Sequence, residues 1–406
     1  MKNDGGVDKV IAEHANIFFN AGYSYIHIAP VKRLFSKKMA FTLVINGNFV
    51  GMYSIAGIKN KIFEFNQKGY LLQSIFVHHL MKHDLNMLNK ILSCTEAPIL
   101  FYIHDYFTIC KQYNLLRNGM EFCGAELPSK DKCLGCCFYE NQEEKISEIG
   151  DFLVNLKDRL TVISPSNIAL DIWESTYGGY GFNKKIIPHQ VLKNEVIKKR
   201  IMEKEIRIAY IGRLIQEKGS DIWKKIIQIR NNEYFYYYYG TTEEEMSLVK
   251  KKYVLVDKDN LVAMIEAIKS DDVHVAVLWS TCPETYSYTV FEALVAGCYI
   301  ITNRNSGNIS AVVEKYQCGK VFDSEADAIQ YLENVKLVRE DIEEYHKKKY
   351  FSCVETNYAV LDIVGEVGYT FNSDENNTID MIIKIEEFLY CIKYRNTFHK
   401  DDSCFF

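Results

Sequence analysis

Pro283-Glu284-Thr285-Tyr286-Ser287-Tyr288-Thr289-Val290-Phe291-Glu292-Ala293-Leu294-Val295-Ala296-Gly297 changes its periodicity partway along. Just upstream, Val273-His274-Val275-Ala276-Val277-Leu278-Trp279 is short, apolar and β-branched, the pattern of a strand buried in a parallel sheet. Beyond Glu284, the residues Val290, Phe291, Leu294 and Val295 fall on one helical face, and Gly297 suits a helix C-terminus. Cys298-Tyr299-Ile300-Ile301-Thr302 begins another strand. The spacing therefore predicts strand, loop, helix and strand, with Glu284 on the loop and Glu292 inside an otherwise apolar helix. The start of such a helix offers unpaired N–H groups and a positive dipole end, which favour a phosphate. Glu292 would be a poor phosphate ligand but a good acceptor for hydroxyl groups.

Upstream, Ile206-Arg207-Ile208-Ala209-Tyr210-Ile211-Gly212 reads as a second buried strand. Arg213 and Lys218 lie on the loop from Gly212 to Gly219, and Ser220 is placed to cap a helix over 221–229. Two cations converging beside a helix start can clamp a diphosphate. Tyr234 to Tyr239 reads as a strand rather than an aromatic ligand box, and 258–269 as a helix. Asn303 to Asn308 forms a polar turn near the same crevice.

Closer to the start, Gly5-Gly6 opens an amphipathic stretch from Val7 to Ala21 that ends at Gly22. Only four residues precede it, too few for an opening strand. Either the chain begins downstream of its native start or the sheet lacks a central strand. Residues 41–65 read as short strands with turns at Asn46-Gly47-Asn48 and near Gly57, and 74–92 as a helix. His104-Asp105-Tyr106 follows the apolar strand Ile99 to Ile103, at the strand end where open α/β sheets bind ligands. Gln142 to Arg159 predicts a helix, and 161–166 and 185–189 short strands. Ser324 to Tyr350 reads as helical, 359–364 as strand-like, and 378–393 as an amphipathic helix.

Glu284/Glu292 spacing alone is not distinctive, because Glu140/Glu148, Glu195/Glu203 and Glu325/Glu333 share it. The whole segment, with Pro283 before it and Glu292-Ala293-Leu294 inside it, resembles the Glu-x7-Glu motif of retaining nucleotide-sugar glycosyltransferases of family 4. The strand-Gly212-Arg213-Leu214 run with Glu217-Lys218-Gly219, and His104 after its strand, resemble the same family in the right order. The resemblance covers most of residues 5–325. It implies an α/β fold of GT-B architecture, with two Rossmann-like domains facing across a cleft and the first strand of the N-terminal domain missing. The domains would span 1–192 and 193–350, the former on the acceptor side and the latter holding the donor, with 351–406 a tail matched to nothing.

By the family's assignments, His104 and Glu284 would be catalytic. Gly6, Arg213, Lys218, Thr285, Tyr286, Ser287 and Glu292 would bind the donor, with Glu284 on sugar hydroxyls and Glu292 on the ribose. The activity implied is retaining transfer of a sugar from a nucleoside-diphosphate sugar to a glycan or lipid-linked glycan, in bacterial cell-surface polysaccharide synthesis. No cofactor is required for that chemistry. The rivals are an inactive relative that binds a nucleotide or glycan, and a sugar-nucleotide epimerase of the same architecture. A dehydrogenase is disfavoured because no strand is followed by Gly-x-Gly-x-x-Gly; Gly178-Gly179-Tyr180-Gly181 lacks the third glycine.

Cys110, Cys123, Cys133 and Cys136 are spaced C-x12-C-x9-C-x2-C, with Cys137 adjacent and able to replace Cys136. A long loop needs a staple, and in a reducing compartment a metal serves better than disulfides. Four thiolates suit a structural zinc, with an iron–sulfur cluster as the other option and unligated packed thiols as the plain one. A subset of the resembled transferases carries such cysteines after its His-Asp-aromatic motif.

The 406 residues suit two domains or more, and 48% hydrophobic with 25% charged residues suits a globular chain. A net charge of -5 gives no reason to expect nucleic acid. No run of 18 apolar residues and no signal-like start is present, so a cytoplasmic protein with mostly reduced cysteines is expected. Val31 to Met39 mixes basic and apolar side chains and suggests peripheral contact at the inner membrane face, although a solvated loop explains it as well.

Overall fold

The computed structural model describes residues 6–36, 38–124, 130–196, 204–256, 260–347, 350–373 and 381–394. It contains two α/β halves, each built on a parallel sheet. Helix α1 (Gly6–Asn20) opens the first half and buries Val10, Ile11, His14, Ile17 and Phe18 along one stripe. Strands β1 (Ile26–Val31), β2 (Ala40–Ile45) and β3 (Asn48–Tyr53) form an antiparallel sheet. Asn46 and Gly47 both take positive φ, at 49° and 84°, as a two-residue hairpin turn requires. The Ser54 hydroxyl then accepts from Gly57 N at 3.2 Å and caps α2 (Ile55–Gln67), so Gly57 lies inside a helix and not at the expected turn.

The single helix expected over 74–92 is instead β4 (Ile75–Val77) followed by α3 (Leu85–Leu92). Asp84 starts the helix late by accepting from Met87 N at 3.0 Å. Then come β5 (Ile99–Tyr102), the small hairpin β6 (Leu116–Arg117) and β7 (Glu121–Phe122), α4 (Lys130–Cys133), α5 (Gln142–Val154), β8 (Leu160–Ser164), α6 (Asn167–Tyr177) and β9 (Asn183–Ile186). β4, β5, β8 and β9 form a parallel sheet in that order.

The first half thus has two sheets where a single one was expected. Among the described residues no strand joins β1 to β4. Side chains make the connection instead. Phe18 of α1 lies 5.2 Å from Phe76 and stacks at 6.0 Å on Tyr25, between ring centroids, and the Tyr25 hydroxyl lies 3.1 Å from His78 Nε2.

β10 (Gln190–Val196) leads into the second half, which runs β11 (Ile206–Ile211), α7 (Ser220–Ile226), β12 (Tyr234–Gly240), β13 (Val249–Tyr253), α8 (Ala263–Ser270), β14 (Val275–Val277), α9 (Tyr288–Ala296), β15 (Tyr299–Asn303), α10 (Asn308–Tyr316) and β16 (Gly319–Phe322). Its parallel sheet has the order β13-β12-β11-β14-β15-β16. The chain winds outward from β11 in one direction and from β14 in the other, which makes β11 and β14 the topological switch point. Ligands of such sheets bind in the crevice at the carboxyl ends of those strands. The tyrosine-rich strand β12 is core, as read: Tyr236, Tyr238 and Tyr239 are buried. The helical stretch expected from 324 to 350 breaks at Asn334 into α11 (Glu325–Glu333) and α12 (Val335–Tyr345).

β17 (Tyr350–Thr356) pairs antiparallel with β10, and the chain then returns to the first half. Residues 358–363 form a 3-10 turn rather than the expected strand, and they bury Val360 against Ile17 and Phe18. Phe371 is 1% exposed in a cluster with Phe41, Leu43, Ile58, Ile62 and Ile91. α13 (Met381–Tyr394) buries Ile383 beside Ala40 and Met52. The basic run from Val31 to Met39 is partly turned inward: Arg33 Nε donates to Glu386 Oε2 at 2.6 Å in a buried pair, while Leu34 and Phe35 stay exposed. Among the described residues, no helix is long and apolar enough to cross a membrane.

Truncating a large buried aromatic costs about 3–5 kcal/mol. Phe371→Ala should lower stability by that amount in urea unfolding if the returning segment completes the core of the first half. A loss below about 0.5 kcal/mol, the range of surface substitutions, would show that it does not.

Candidate functional site

At the switch point the loop after β11 meets the loop after β14. Gly219 has φ +87°, and a Cβ there would lie 2.3 Å from Trp279 O, so glycine lets the two loops touch. The Tyr210 hydroxyl lies 2.8 Å from Arg213 O and 2.9 Å from Lys218 O, and its one proton braces the loop that carries both cations. Gly219 itself occupies the N-cap position, so Ser220 lies within α7 and does not cap it.

Glu284 is fixed on three sides. Lys218 Nζ pairs with Glu284 Oε1, and Ser280 Oγ donates to the same oxygen at 2.9 Å. Its carbonyl accepts from Asn308 N at 2.8 Å, and its N–H donates to Ser306 O at 3.3 Å. Gly307, with φ +65°, allows this approach, because a Cβ there would sit 2.5 Å from Glu284 N. Burial lowers the pKa of Lys218, but the charge and hydrogen bond of Glu284 outweigh it and hold the ammonium above its usual value. The two residues expected to bind diphosphate and sugar separately are here paired with each other. Arg213 is exposed on the same loop.

α9 begins after Ser287, whose side chain makes no cap hydrogen bond; its hydroxyl lies 2.9 Å from Thr289 Oγ1. The first-turn N–H groups are thus left without a side-chain cap. Glu292, one turn on, is 5% exposed. No hydrogen bond reaches its carboxylate from the described residues, and burial raises its pKa against the opposing charge of Lys9.

Thr285 and Tyr286 point into the contact between halves. Thr285 Oγ1 donates to His104 O at 2.6 Å, and Ser166 Oγ donates to Thr285 O at 2.8 Å. The Tyr286 hydroxyl accepts from Gln190 N at 3.1 Å, and Tyr288 donates to Glu13 Oε2 at 3.2 Å. The Thr285 hydroxyl thus commits its one proton to His104 and can meet a ligand only as an acceptor. Gly6 begins α1 and is exposed, with open space where a Cβ would project.

His104 lies in a column of imidazoles. Its Nε2 is 2.9 Å from His78 Nδ1, and its ring stacks on His78 at 5.2 Å and on His189 at 5.8 Å. His14 lies 5.3 Å from His78, and His189 stacks on Tyr288 at 6.0 Å. Burial, then neighbouring imidazoles, lowers His104 to about 3, and burial alone lowers His14 to about 4. His78 and His189 are held well below the usual value for the same reasons. His104 is thus a neutral imidazole with Nδ1 as the ring nitrogen left for a ligand.

The four cysteines are neighbours without forming a ligand set. Partial burial raises the Cys110 thiol, with smaller contributions from Cys136 and Cys133. Cys123 and Cys137 are exposed, and among the described residues no three His, Cys, Asp or Glu side chains converge to hold a metal. The expected zinc or iron–sulfur cluster is not supported by this arrangement.

Lys9, Glu13, His78, Ser166 and His189 were not singled out from sequence as site residues. The Lys9/Glu13 spacing of four residues on α1 and the position of His189 after Pro188 were the available signals. Their common location depends on how the halves meet.

The imidazole column makes stability depend on pH. Histidines held neutral in the fold but free to protonate near 6.5 when unfolded leave stability unchanged above that pH and lower it as the pH falls below it. Each costs up to about 1.4 kcal/mol per pH unit until its folded value is reached. Glu13 and Glu292, raised by burial, act in the opposite direction but are fewer. Urea unfolding should show stability falling steeply from pH 7 to 5.5, and less steeply in His189→Gln. A flat profile would contradict the neutral column.

No family model and no curated protein matches this sequence. Among solved structures, the chain is similar to HepE of Anabaena in complex with UDP-glucose, at 10% identity over 72% of this chain and 75% of that one, with a TM-score of 0.44. It is also similar to sucrose-phosphate synthase of Thermosynechococcus elongatus, at 12% identity over 83% and 77%, with a TM-score of 0.46. The pneumococcal O-GlcNAc transferase GtfA, in complex with UDP and GlcNAc, aligns at 13% identity over 80% and 66%, with a TM-score of 0.48.

Proposed function

We propose that this protein is a retaining glycosyltransferase that moves a sugar from a nucleoside-diphosphate donor to a hydroxyl of a glycan or lipid-linked glycan. The observation that carries the reading is Glu292: a carboxylate 5% exposed, without a hydrogen bond from the described residues, one turn into a helix whose first turn has no side-chain cap. A ligand with adjacent hydroxyls next to a diphosphate complements both features. The ribose hydroxyls would donate to Glu292, and the diphosphate would lie at the start of α9 beside Arg213 and Lys218.

Breaking the bond between the sugar and the diphosphate leaves an electron pair on the phosphate oxygen. Cations and N–H groups already aimed there stabilise that charge as it develops. Lys218 must turn from Glu284 towards the phosphate, which frees Glu284 to accept hydroxyls of the donor sugar. The acceptor oxygen forms the new bond to the anomeric carbon, and its proton passes to the departing phosphate on the same face, as the resemblance implies. His104, neutral, would contribute a hydrogen bond to the sugar through Nδ1 and not a charge. The exposed Leu34 and Phe35 offer a peripheral contact for a lipid-linked acceptor.

The two glutamates should separate in a binding and turnover assay. Glu292→Gln removes the charge that accepts two hydroxyl donors, so bare nucleoside-diphosphate affinity should fall roughly ten- to a hundredfold. Glu284→Gln should leave that affinity nearly intact and depress transfer. Equal loss of bare nucleotide binding in both variants would refute the assignment. Binding without transfer to any acceptor would favour an inactive relative.

A further inference from the structure

We infer that Lys9 is a donor ligand supplied from the opposite half of the molecule, its ammonium contacting the diphosphate at the first turn of α9. This rests on the donor reading given above. Lys9 lies in the first turn of α1, and its Nζ is 3.7 Å from the ring centroid of Tyr288, the first residue of α9. Among the described residues it makes no ion pair, and a cation on an aromatic face is held loosely enough to exchange for a charged hydrogen bond.

Its position is bounded by several groups. Glu13, Glu292 and His189 all feel its charge, so the ammonium over the Tyr288 ring lies within electrostatic reach of all three, the carboxylate of Glu292 included. Tyr288 also donates to Glu13 Oε2 at 3.2 Å, which fixes α1 against α9. A diphosphate at the uncapped start of α9 would therefore lie between Arg213 and Lys218 of the second half and Lys9 of the first. Arg213 and Lys218 share one loop and cannot report whether the halves are together. A cation from α1 can, because it reaches the phosphates only when α1 and α9 meet.

Calorimetry with uridine, guanosine and adenosine diphosphates would identify the tightest, and ligand-observed NMR would follow the matching nucleoside. Lys9→Met should weaken the diphosphate roughly ten- to a hundredfold, the range for a charged hydrogen bond. The nucleoside should bind as it does to wild type, and Lys9→Arg should restore most of the loss. Unchanged diphosphate affinity in folded Lys9→Met, with Arg213→Ala still weakened, would overturn the inference and leave the donor reading standing. An equal loss for the nucleoside would overturn it too, since Lys9 would then act through Glu292 and the ribose. If wild type binds none of the three diphosphates, the donor reading fails and this inference with it.

Discussion

Burying a carboxylate without a hydrogen bond is costly, because the group loses its water and receives nothing in return. Glu292 comes close to that position: it is 5% exposed inside an apolar helix, and the charge of Lys9 opposes the burial that raises its pKa. The free protein reduces the cost by favouring the protonated acid, whereas a ligand with hydroxyl donors would favour the carboxylate. The surrounding structure presents that group to one place. The switch-point topology brings the β11 and β14 loops together, and Gly219 and Gly307 allow backbone contacts that a side chain would block. The Lys218–Glu284 pair joins those same two loops.

The contact between halves is polar and aromatic and contains few charges. Thr285, Tyr286 and Tyr288 of the second half hydrogen-bond to His104, Gln190 and Glu13, and the imidazole column continues from there into the first half. Neutral rings can stack in this way because burial suppresses their protonation. Cationic rings would repel one another. The loop that carries Thr285 and the column are linked by the hydrogen bond from Thr285 Oγ1 to His104 O.

The second half was largely legible in the sequence. β11, β12, β14 and β15 lie in apolar or aromatic runs, and the Glu284-to-Gly297 segment changes from loop to helix where the periodicity predicted. β13, with three lysines, and β16 gave no such signal. The first half was less legible because its signals are short or competing. Residues 55–67 form a helix through the Ser54 cap despite Gly57, and the apolar spacing of 74–92 is shared by a three-residue strand and a helix. The patch at 359–364 reads as a strand by alternation but turns, since Asn357 Oδ1 accepts from Ala359 N at 3.0 Å. Motif residues found from sequence reached the crevice where their loops were local to it. Lys9, Glu13 and His189 arrive there through long-range packing that periodicity does not encode. The cysteine spacing was legible, but the thiols it brings near one another are not arranged as ligands.

The most direct test of the account is proton release from Glu292 on ligand binding. Hydroxyl donors stabilise the carboxylate and lower a pKa that burial has raised, so binding should expel a proton in the pH range where the buried acid is still protonated. Titrating a nucleoside diphosphate into wild-type protein in buffers of different ionisation enthalpy counts the protons released, and Glu292→Gln supplies the reference. With the titration repeated from roughly pH 4 to pH 8, wild type is expected to release more protons than Glu292→Gln over part of that range. Identical proton release in the two proteins throughout that range, with tight binding retained, would contradict the account.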